Sequence, residues 1–446
     1  MSAATPYPGL IGVSDGSASL AGVLGGTGFK VTGPEGAALS SGIEALAAAI
    51  WLAYLNEGAR MLEQQYATRD DIDASMRYGC GYPVGPLAQL DVIGLDVAAA
   101  VLDALHEASG DTRHKASSAI TELVAAGKTG RAAGAGFFTY EAPGSDVVVS
   151  QESAQADSDS GALREIAKVG VVGTGTMATG IIEVFAKAGY QVVYVARSDE
   201  KVAKVRAALE KSLDRAVGKG RMTQEDRDAV LARVSGVTTH GGLADVDIVV
   251  EAIVEDFDTK SELFASLDRV CKPGAILATT TSSLSIEALA AATSRPADVI
   301  GMHFFNPAPI MKLVEVVSAD ATAADVTATV VKLCEATKKH PVLCGDRAGF
   351  IVNFLLFPYL NDGVRAVEAN LTSIEDLDPL MKAWQSLPMG PFALLDVVGN
   401  DVSLAIQETI FDAFPDACYR PAPLLKQTVA EGKLGRKTGE GFLQYS

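Results

Sequence analysis

Cysteine and histidine are both scarce in this sequence, and neither occurs in a metal-binding pattern. The 446 residues include five of each. The cysteines are odd in number and show no Cys-x-x-Cys spacing, which argues against a disulfide framework and against a cysteine metal site. We therefore expect a reduced cytoplasmic protein without a bound metal, in which the cysteines are buried as small apolar side chains.

Clusters of basic residues and long apolar runs are also missing. The formal net charge is −18, and the acidic excess is spread along the chain. Nucleic acids and anionic membranes bind clustered Lys and Arg, so neither partner is expected. The longest apolar run, around Ile43–Leu55, is too short to span a membrane and is interrupted by Glu44. The N-terminus shows no secretory signal, because a basic segment followed by an apolar core is absent there.

A long internal repeat is the first positive feature. The segment Tyr54–Arg60 recurs 305 residues later as Tyr359–Arg365. Aligning Tyr54–Tyr140 with Tyr359–Tyr445 needs no gap, and more than a third of the aligned residues are identical. Both copies show helical periodicity, a Gly-Pro turn that opens a helix and a Gly-rich, hairpin-like end. Two copies indicate a duplicated helical domain rather than a solenoid.

Between the copies, short Val/Ile-rich runs alternate with helical patterns, which predicts a doubly wound parallel sheet. The predicted strands are Lys168–Val172, Gln191–Val195, Asp247–Val254, Ala275–Thr279, Val299–Phe304 and Lys312–Val317. The predicted fold class is therefore α/β, a Rossmann-type doubly wound sheet flanked by two homologous all-helical domains.

These patterns divide the chain into five segments. Residues 41–142 hold the first helical copy, residues 166–346 the α/β domain and residues 347–446 the second helical copy. Residues 143–165, polar and aperiodic around Ser150–Gly161, are predicted to be a flexible linker. Residues 1–40 carry a weak strand–helix–strand hint at Gly9–Val13 and Phe29–Val31, interpreted as a degenerate remnant or cap.

A glycine-rich turn follows the first predicted strand and opens a helix. Gly173 permits the tight turn, Gly175 lets the backbone approach a pyrophosphate, and Ala178 is small enough for close packing of helix and strand. The helix N-terminus, which begins with Thr176 and Met177, would supply amide donors and a positive dipole to the phosphates. In this position the motif predicts a dinucleotide-binding site.

The end of the second strand bears on the choice of coenzyme. An NAD site usually has Asp or Glu here, and that carboxylate would repel a 2′-phosphate. This chain instead has Ala196, Arg197 and Ser198, which favour a phosphate. We therefore predict NADP(H) in preference to NAD(H). The alternative is that Arg197 is a solvated charge and that Asp199 contacts the ribose.

Further motifs complete a family pattern. They are VVEAIVE at 249–255, TSSL at 281–284, HFFNPAPIMKLVE at 303–315 and GFIVN at 349–353. Together with the glycine turn, they resemble the 3-hydroxyacyl-CoA dehydrogenase family over residues 166–446. The first helical copy is similar to a second C-terminal domain of that family. The block that begins at His303 is far more specific than the glycine turn.

The chemistry agrees with this resemblance. Oxidation of a secondary alcohol needs a base that takes the hydroxyl proton as hydride leaves, and histidine suits reversible proton transfer. His303 ends a buried strand, where such folds bind their ligands. The other four histidines stand in charged or helix-end contexts and are expected at the surface: His106, His114, His240 and His340.

The resemblance implies roles for further residues. Glu315 would orient His303 and stabilise its imidazolium form. Contacts with the acyl carbonyls, the catalytic pair or the nicotinamide are implied for Ser282, Asn306 and Asn353, which as isolated residues would more often be caps or turn formers. Cofactor contacts are implied for Glu255, Lys260 and Lys437. Coenzyme A contacts are implied for Ser212 and Lys219, although Lys219 could equally belong to a solvated face. Thr280 departs from the family, which often has Asn there.

The first helical copy keeps the turns but lacks the chemical residues. At the 305-residue offset, Ala48 stands opposite Asn353 and Ala132 opposite Lys437. The simplest family members pair two C-terminal domains from different subunits. We therefore predict a monomer in which the duplicated domain forms an intramolecular pseudo-dimer, with a homodimer as the alternative.

The predicted reaction is reversible oxidation of a (3S)-3-hydroxyacyl-CoA to a 3-oxoacyl-CoA with a nicotinamide cofactor. A short chain such as 3-hydroxybutyryl-CoA is favoured, in fatty-acid or related acyl-CoA metabolism. One alternative is a dehydrogenase of a free hydroxy acid, against which the block from His303 argues. Another is an inactive CoA-binding scaffold, which the intact His303 and Glu315 disfavour.

Overall fold

The computed structural model describes residues 42–149 and 162–445. The strand hints at Gly9–Val13 and Phe29–Val31, and the segment Ser150–Gly161, lie outside the described residues. The described chain groups into two compact units. One is helical and combines residues 42–149 with 351–445, and the other is an α/β unit of residues 162–350.

The first helical copy contains five helices. They are α1 Gly42–Glu63, α2 Arg69–Gly79, α3 Pro86–Ile93, α4 Leu95–Ser109 and α5 Ser118–Ala125. Residues at the N-termini of α2 and α3 explain where these helices begin. The Thr68 side chain accepts a hydrogen bond from a backbone N–H in the first turn of α2, and Pro86 is the first residue of α3. No described helix is both long enough and apolar enough to cross a membrane.

The α/β unit is built on an eight-stranded sheet. Its strands are β1 Lys168–Val172, β2 Gln191–Val195, β3 Val234–Val237, β4 Ile248–Glu251, β5 Ile276–Thr279, β6 Val299–Phe304, β7 Leu313–Ser318 and β8 His340–Gly345. The spatial order is β3-β2-β1-β4-β5-β6-β7-β8. All neighbouring strands are parallel except β6 and β7, which run antiparallel. The doubly wound sheet is confirmed, and β6 and β7 are its one antiparallel pair.

Helices cover this sheet. They are α6 Thr176–Lys187, α7 Asp199–Gly218, α8 Gln224–Ala232, α9 Phe257–Val270, α10 Ile286–Ala290 and α11 Ala324–Ala336. The core consists of Val, Ile and Leu from the strands packed against α6, α7 and α11. Continuous apolar strands of this kind suit a sheet that is covered on both faces.

The strand predictions were correct where the apolar signal was strong. β1, β2 and β6 have the predicted bounds, whereas β4 is shorter than Asp247–Val254. β3 and β8 were missed. β3 is four residues long and contains Gly236, and β8 has Pro341 at its second position, which is tolerated because β8 is an edge strand.

The predicted linker 143–165 is too long at both ends. Residues 141–149 fold back onto the first helical copy, where the N–H of Val149 donates to the carbonyl of Thr139 at 2.8 Å. At the other end, Arg164 forms ion pairs with Asp298 and Asp325 at 2.7 and 2.8 Å. Its guanidinium therefore ties this segment to the α/β unit.

The second helical copy reproduces the first. Its helices are α12 Val352–Glu368, α13 Ile374–Trp384, α14 Pro391–Val398, α15 Asn400–Ala413 and α16 Pro423–Ala430. With the 305-residue offset, α2, α3 and α5 coincide at both ends with α13, α14 and α16. The repeat in sequence is therefore a repeat in structure.

A buried aspartate explains why the Gly-rich end of each copy is retained. Asp91 accepts hydrogen bonds of 2.8, 2.8 and 3.0 Å from two backbone N–H groups and a tyrosine hydroxyl, those of Phe137, Phe138 and Tyr140. Asp396 repeats the pattern with Phe442, Leu443 and Tyr445. A Cβ atom at Gly136 or Gly441 would overlap the aspartate carboxyl group, so glycine is required there.

The two copies pack together within the helical unit. Helices α1 and α12 are in contact, and the ring centroids of Trp51 and Tyr359 lie 5.3 Å apart. Arg113 of the first copy donates to both carboxylate oxygens of Asp362 in the second at 2.8 and 3.0 Å, and both side chains are buried. The first copy thus shares a core with the second inside one chain.

A pH dependence of stability is expected from Asp73. Burial raises its pKa to about 7, although the N–H groups of Leu87 and Ala88 donate to its carboxylate and oppose that rise. An unfolded aspartate titrates near pH ~3.9. The stabilisation from this group is therefore present below about pH 4 and is lost as the pH rises through about 7.

The matched variant is Asp73→Asn, which keeps an acceptor oxygen but does not titrate. Urea denaturation between pH 4.5 and 8 should show a smaller loss of stability with rising pH in the variant than in the wild type. Equal slopes in both proteins would contradict the raised pKa.

Candidate active site

A cleft of about 760 Å³ lies at the carboxyl ends of β1, β2 and β4. The glycine turn forms one wall of it. Gly173 has a φ of +139°, and a Cβ atom there would overlap the carbonyl oxygen of Ala252. Gly175 has open space where a side chain would be, and it begins α6 without a side-chain cap. The first N–H groups of α6 are thus left for a phosphate, and the turn fits a pyrophosphate.

The end of β2 forms a second wall of the cleft. Ala196 is 2% exposed and Arg197 is exposed, and both line the cleft. Ser198 is the N-cap of α7, and its hydroxyl accepts a hydrogen bond from the N–H of Lys201. The Ser198 hydroxyl oxygen therefore already accepts one hydrogen bond within α7. Asp199 is the first residue of α7 and does not line the cleft.

A buried ion pair lies beneath the ends of β4 and β5. Lys260 is 1% exposed, and its Nζ donates to the Glu251 carboxylate at 2.7 and 3.0 Å. Glu255 lies 3.2 Å from the same Nζ. The charge of Lys260 is therefore buried and balanced by two carboxylates, and the cofactor contact implied for it remains a prediction. Glu251, which the sequence reasoning did not select, is its main partner.

Glu255 joins the loops that follow β4 and β5. Its carboxylate accepts hydrogen bonds from the Thr281 hydroxyl and from the N–H of Ser282, the latter at 2.8 Å. Burial acts to raise the pKa of Glu255, but Lys260 and these hydrogen bonds outweigh it and hold the pKa below its usual value. Glu255 is thus an anion that positions the loop carrying Ser282.

His303 and Glu315 form a buried pair on neighbouring strands. In the antiparallel register of β6 and β7 the two residues stand directly opposite one another. Nδ1 of His303 lies 2.6 Å from Oε2 of Glu315, which is fully buried. An ionised carboxylate only accepts, so the hydrogen is on Nδ1, and Nε2 is left to exchange a proton with a ligand.

Aromatic rings surround the imidazole. The ring centroids of Phe305 and Phe350 lie 4.5 and 5.6 Å from that of His303. Phe350 has a φ of +48°, directly after Gly349 with a φ of +80°. Neither phenylalanine was assigned a role from sequence, although both belong to the quoted motifs. Asn306, three residues beyond His303, is exposed.

The remaining predicted residues lie on helices. Asn353 is the second residue of α12 and is 6% exposed. Lys437, in the second helical copy, forms an ion pair with Asp401. Ser212 and Lys219 are seven residues apart on α7 and at its C-cap, and hence on one face. The cofactor and substrate contacts implied for these four residues remain predictions.

Two histidines differ from their predicted positions. His114 was expected at the surface but is buried, with Nδ1 at 3.2 Å from the hydroxyl of Ser109. His240 was also assigned to the surface but lines the dinucleotide cleft. The partner of His240 is Ser266, which is 26 residues away in sequence, so the local sequence does not reveal its position.

The glycine turn at one end of the sheet edge and a histidine–carboxylate pair at β6 define a nicotinamide-dependent oxidoreductase. Two domain models of one protein family match the chain. The 3-hydroxyacyl-CoA dehydrogenase NAD binding domain matches residues 168–347, and the C-terminal domain of the same family matches residues 46–140 and 349–445. The chain belongs to the 3-hydroxyacyl-CoA dehydrogenase family.

The chain is also similar to individual members of this family. The chain is 42% identical over 279 residues to a 3-hydroxybutyryl-CoA dehydrogenase of Clostridioides difficile, covering 63% of this chain and 99% of that protein. It is 42% identical over 288 residues to the mitochondrial hydroxyacyl-coenzyme A dehydrogenase of Rattus norvegicus, covering 63% of this chain and 91% of that protein. The crystal structure of (S)-3-hydroxybutyryl-CoA dehydrogenase from Ralstonia eutropha matches with 41% identity and a TM-score of 0.62, covering 63% of this chain and 100% of the other.

Proposed function

We propose that this enzyme interconverts (3S)-3-hydroxyacyl-CoA and 3-oxoacyl-CoA, with short chains such as 3-hydroxybutyryl-CoA favoured. The observation that carries the proposal is the buried His303–Glu315 pair at the same sheet edge as the dinucleotide cleft. The similarity to named 3-hydroxybutyryl-CoA dehydrogenases supports the substrate class.

In the oxidation direction, Nε2 of His303 takes the proton of the C3 hydroxyl. A bound nicotinamide supplies the hydride acceptor for this chemistry. Glu315 holds the Nδ1 hydrogen and stabilises the imidazolium that forms, because its carboxylate has no access to water. Phe305 and Phe350 exclude water from the ring. In the reduction direction the same imidazolium returns the proton to the C3 oxygen.

Two polar residues would position the acyl chain. Ser282 is fixed by the hydrogen bond from its N–H to Glu255, so its hydroxyl is held at the carboxyl end of β5. Asn306 is exposed just beyond β6. Donors at these places can polarise the carbonyl oxygens of a 3-oxoacyl thioester. Asn353 is proposed to assist, and Ser212 with Lys219 to contact coenzyme A, as the family resemblance implies.

The proposal is tested by comparing substrates with and without coenzyme A. We expect acetoacetyl-CoA to support rapid oxidation of NADPH, and free acetoacetate to support little or none at the same concentration. Similar rates with both would favour the alternative of a dehydrogenase for free hydroxy acids. No oxidation with any 3-oxoacyl-CoA would favour an inactive scaffold.

We propose that NADP(H) is preferred over NAD(H). Ala196 supplies no carboxylate at the end of β2, and the exposed Arg197 lines the cleft with no ion-pair partner among the described residues. A guanidinium there can bind a 2′-phosphate.

Replacing Ala196 with aspartate should reverse the preference. The new carboxylate would repel a 2′-phosphate and accept hydrogen bonds from ribose hydroxyls. We expect kcat/KM with NADPH to fall about 100-fold while kcat/KM with NADH rises or stays constant. Ala196→Asn is the uncharged control. A wild-type enzyme that works as well with NADH would contradict the coenzyme assignment.

We further propose that the enzyme is a monomer in solution. The surface that the second helical copy would offer to another subunit is covered by the first copy through α1 and Arg113. Size-exclusion chromatography with light scattering should give the mass of one 46.3 kDa chain. A stable dimer built through residues 351–445 would contradict this.

A further inference from the structure

Residues that follow both β2 and β3 line the part of the cleft where the adenosine ribose of the coenzyme is proposed to bind. In their parallel register Val195 stands beside Val237, and the N–H of Ala196 donates to the Val237 carbonyl at 3.0 Å. Neighbouring strands are about 4.8 Å apart. The residues that follow β3 therefore lie next to those that follow β2. Of these, Thr238 and His240 line the same cleft as Arg197.

His240 is held in place by a hydrogen bond to a residue of α9. Its Nδ1 lies 3.0 Å from the hydroxyl of Ser266, which is on α9 and also lines the cleft. With the Ser266 hydroxyl donating to Nδ1, the hydrogen of a neutral ring is on Nε2. Nε2 makes no hydrogen bond with the residues that the structure describes. A half-buried imidazole is thus fixed at one nitrogen and available at the other.

The charges at this end of the cleft favour an anion. Arg197 contributes a permanent positive charge, and His240 contributes an Nε2 donor when it is protonated, or when it is neutral with Ser266 donating to Nδ1. One carboxylate, that of Glu262 on α9, also lines the cleft. Asp199 and Glu200 lie in the first turn of α7 and are not among the residues that line the cleft. The chain as a whole has a net charge of −18, so a cleft lined by a guanidinium and an imidazole is a local exception.

We propose that His240 is a specificity-determining residue that binds the 2′-phosphate of NADP(H) together with Arg197. This inference rests on the proposed function, because it assigns a contact to the coenzyme of that reaction. Arg197 and His240 approach the phosphate from two adjacent strand ends, and Thr238 adds a hydroxyl between them. Two donors from different elements fix the phosphate more firmly than a single exposed arginine, whose side chain is free to move.

Binding of the 2′-phosphate by His240 can be distinguished from packing of His240 on the adenine ring. An imidazole that packs on the adenine ring would contribute equally to NAD(H) and NADP(H), since both carry adenine. An imidazole that binds the 2′-phosphate contributes to NADP(H) alone. The matched pair of adenosine 2′,5′-bisphosphate and adenosine 5′-monophosphate isolates that phosphate without any catalytic step.

The test measures binding of these two nucleotides to the full chain by isothermal titration calorimetry. We expect His240→Asn to weaken the bisphosphate about tenfold and His240→Asp to weaken it further, since a charge-assisted hydrogen bond is lost and then replaced by repulsion. The monophosphate should bind each variant as it binds the wild type. His340→Asn, at an exposed position on edge strand β8, is the control and should change neither Kd.

Two results would overturn the inference. Equal weakening of both nucleotides would assign His240 to the adenine, and unchanged binding of both would remove it from the site. Activity with acetoacetyl-CoA separates this failure from a failure of the proposed function. If the wild type reduces acetoacetyl-CoA but the NADPH-to-NADH ratio of kcat/KM is the same in His240→Asp, the inference fails and the function stands. If no coenzyme is oxidised, the function itself fails.

Discussion

Replacing His303 with glutamine should lower kcat for acetoacetyl-CoA reduction by about 10² to 10⁴, the usual contribution of a positioned general acid–base group. Glutamine has a similar reach and can still hydrogen-bond to Glu315, but it transfers no proton near neutral pH. The loss should therefore fall on kcat, with KM for acetoacetyl-CoA nearly unchanged. Steady-state kinetics with NADPH give both values.

Glu315→Gln provides the matched comparison. The amide keeps the size of the side chain but removes the charge that stabilises the imidazolium. A charge-assisted hydrogen bond contributes about 1.5–3 kcal/mol, which corresponds to a loss of about 10- to 150-fold in kcat. The double variant should be little worse than His303→Gln alone, because Glu315 acts through His303. Additive losses would show that Glu315 has a separate role.

The second large effect is expected at the contact between the two helical copies. Replacing Arg113 with methionine removes the cation that lies between the buried carboxylates of Asp111 and Asp362. Breaking a buried ion pair by removing one partner typically costs about 3–5 kcal/mol, because the remaining charge stays buried. Urea denaturation of the full chain should show a loss of this size.

A double variant shows whether the loss of stability comes from the unpaired carboxylate of Asp362. Arg113→Met combined with Asp362→Leu should be more stable than Arg113→Met alone, since an apolar pair replaces an unpaired carboxylate. A double variant that is less stable than either single one would contradict this explanation. Binding of adenosine 2′,5′-bisphosphate to the α/β unit serves as a control that this unit remains folded.

The ion pair between Arg113 and Asp362 is not repeated at the positions related by the 305-residue offset. The packing of the two copies is therefore not symmetric in its polar contacts. At the 305-residue offset Arg113 corresponds to Cys418 and Asp362 to Glu57. On the other side of the interface the hydroxyl of Tyr419 donates to Glu57 at 2.6 Å. Each copy thus carries polar groups that match the other copy rather than itself. A pairing of two identical copies would lose the bidentate contact between Arg113 and Asp362.

Features encoded in a short stretch of chain could be predicted from sequence. The turn at Gly173–Gly175 needs specific small residues, and β1, β2 and β6 are continuous apolar runs, so both gave clear signals. The repeat was visible because more than a third of its aligned residues are identical, including the glycines that Asp91 and its equivalent require. The His303–Glu315 pair could be predicted because both residues belong to one sequence motif that spans two adjacent strands.

Features that depend on distant parts of the chain could not be predicted in this way. The local sequence around Lys260 does not show that the residue is buried, because its main partner Glu251 lies at the end of another element. His114 has charged neighbours in sequence, yet it is buried in the helical unit. His240 is placed in the cleft by the pairing of β3 with β2, and β3 was too short and too polar to be recognised.

The role of His303 is tested most directly by a crystal structure of the enzyme with NADP⁺ and acetoacetyl-CoA. We expect the C3 ketone oxygen to lie within about 2.6–3.2 Å of Nε2 of His303, with the C3 carbon about 3–3.5 Å from C4 of the nicotinamide. A complex in which that oxygen is bound by another group, with His303 out of reach, would contradict the assignment of His303 as the acid–base residue.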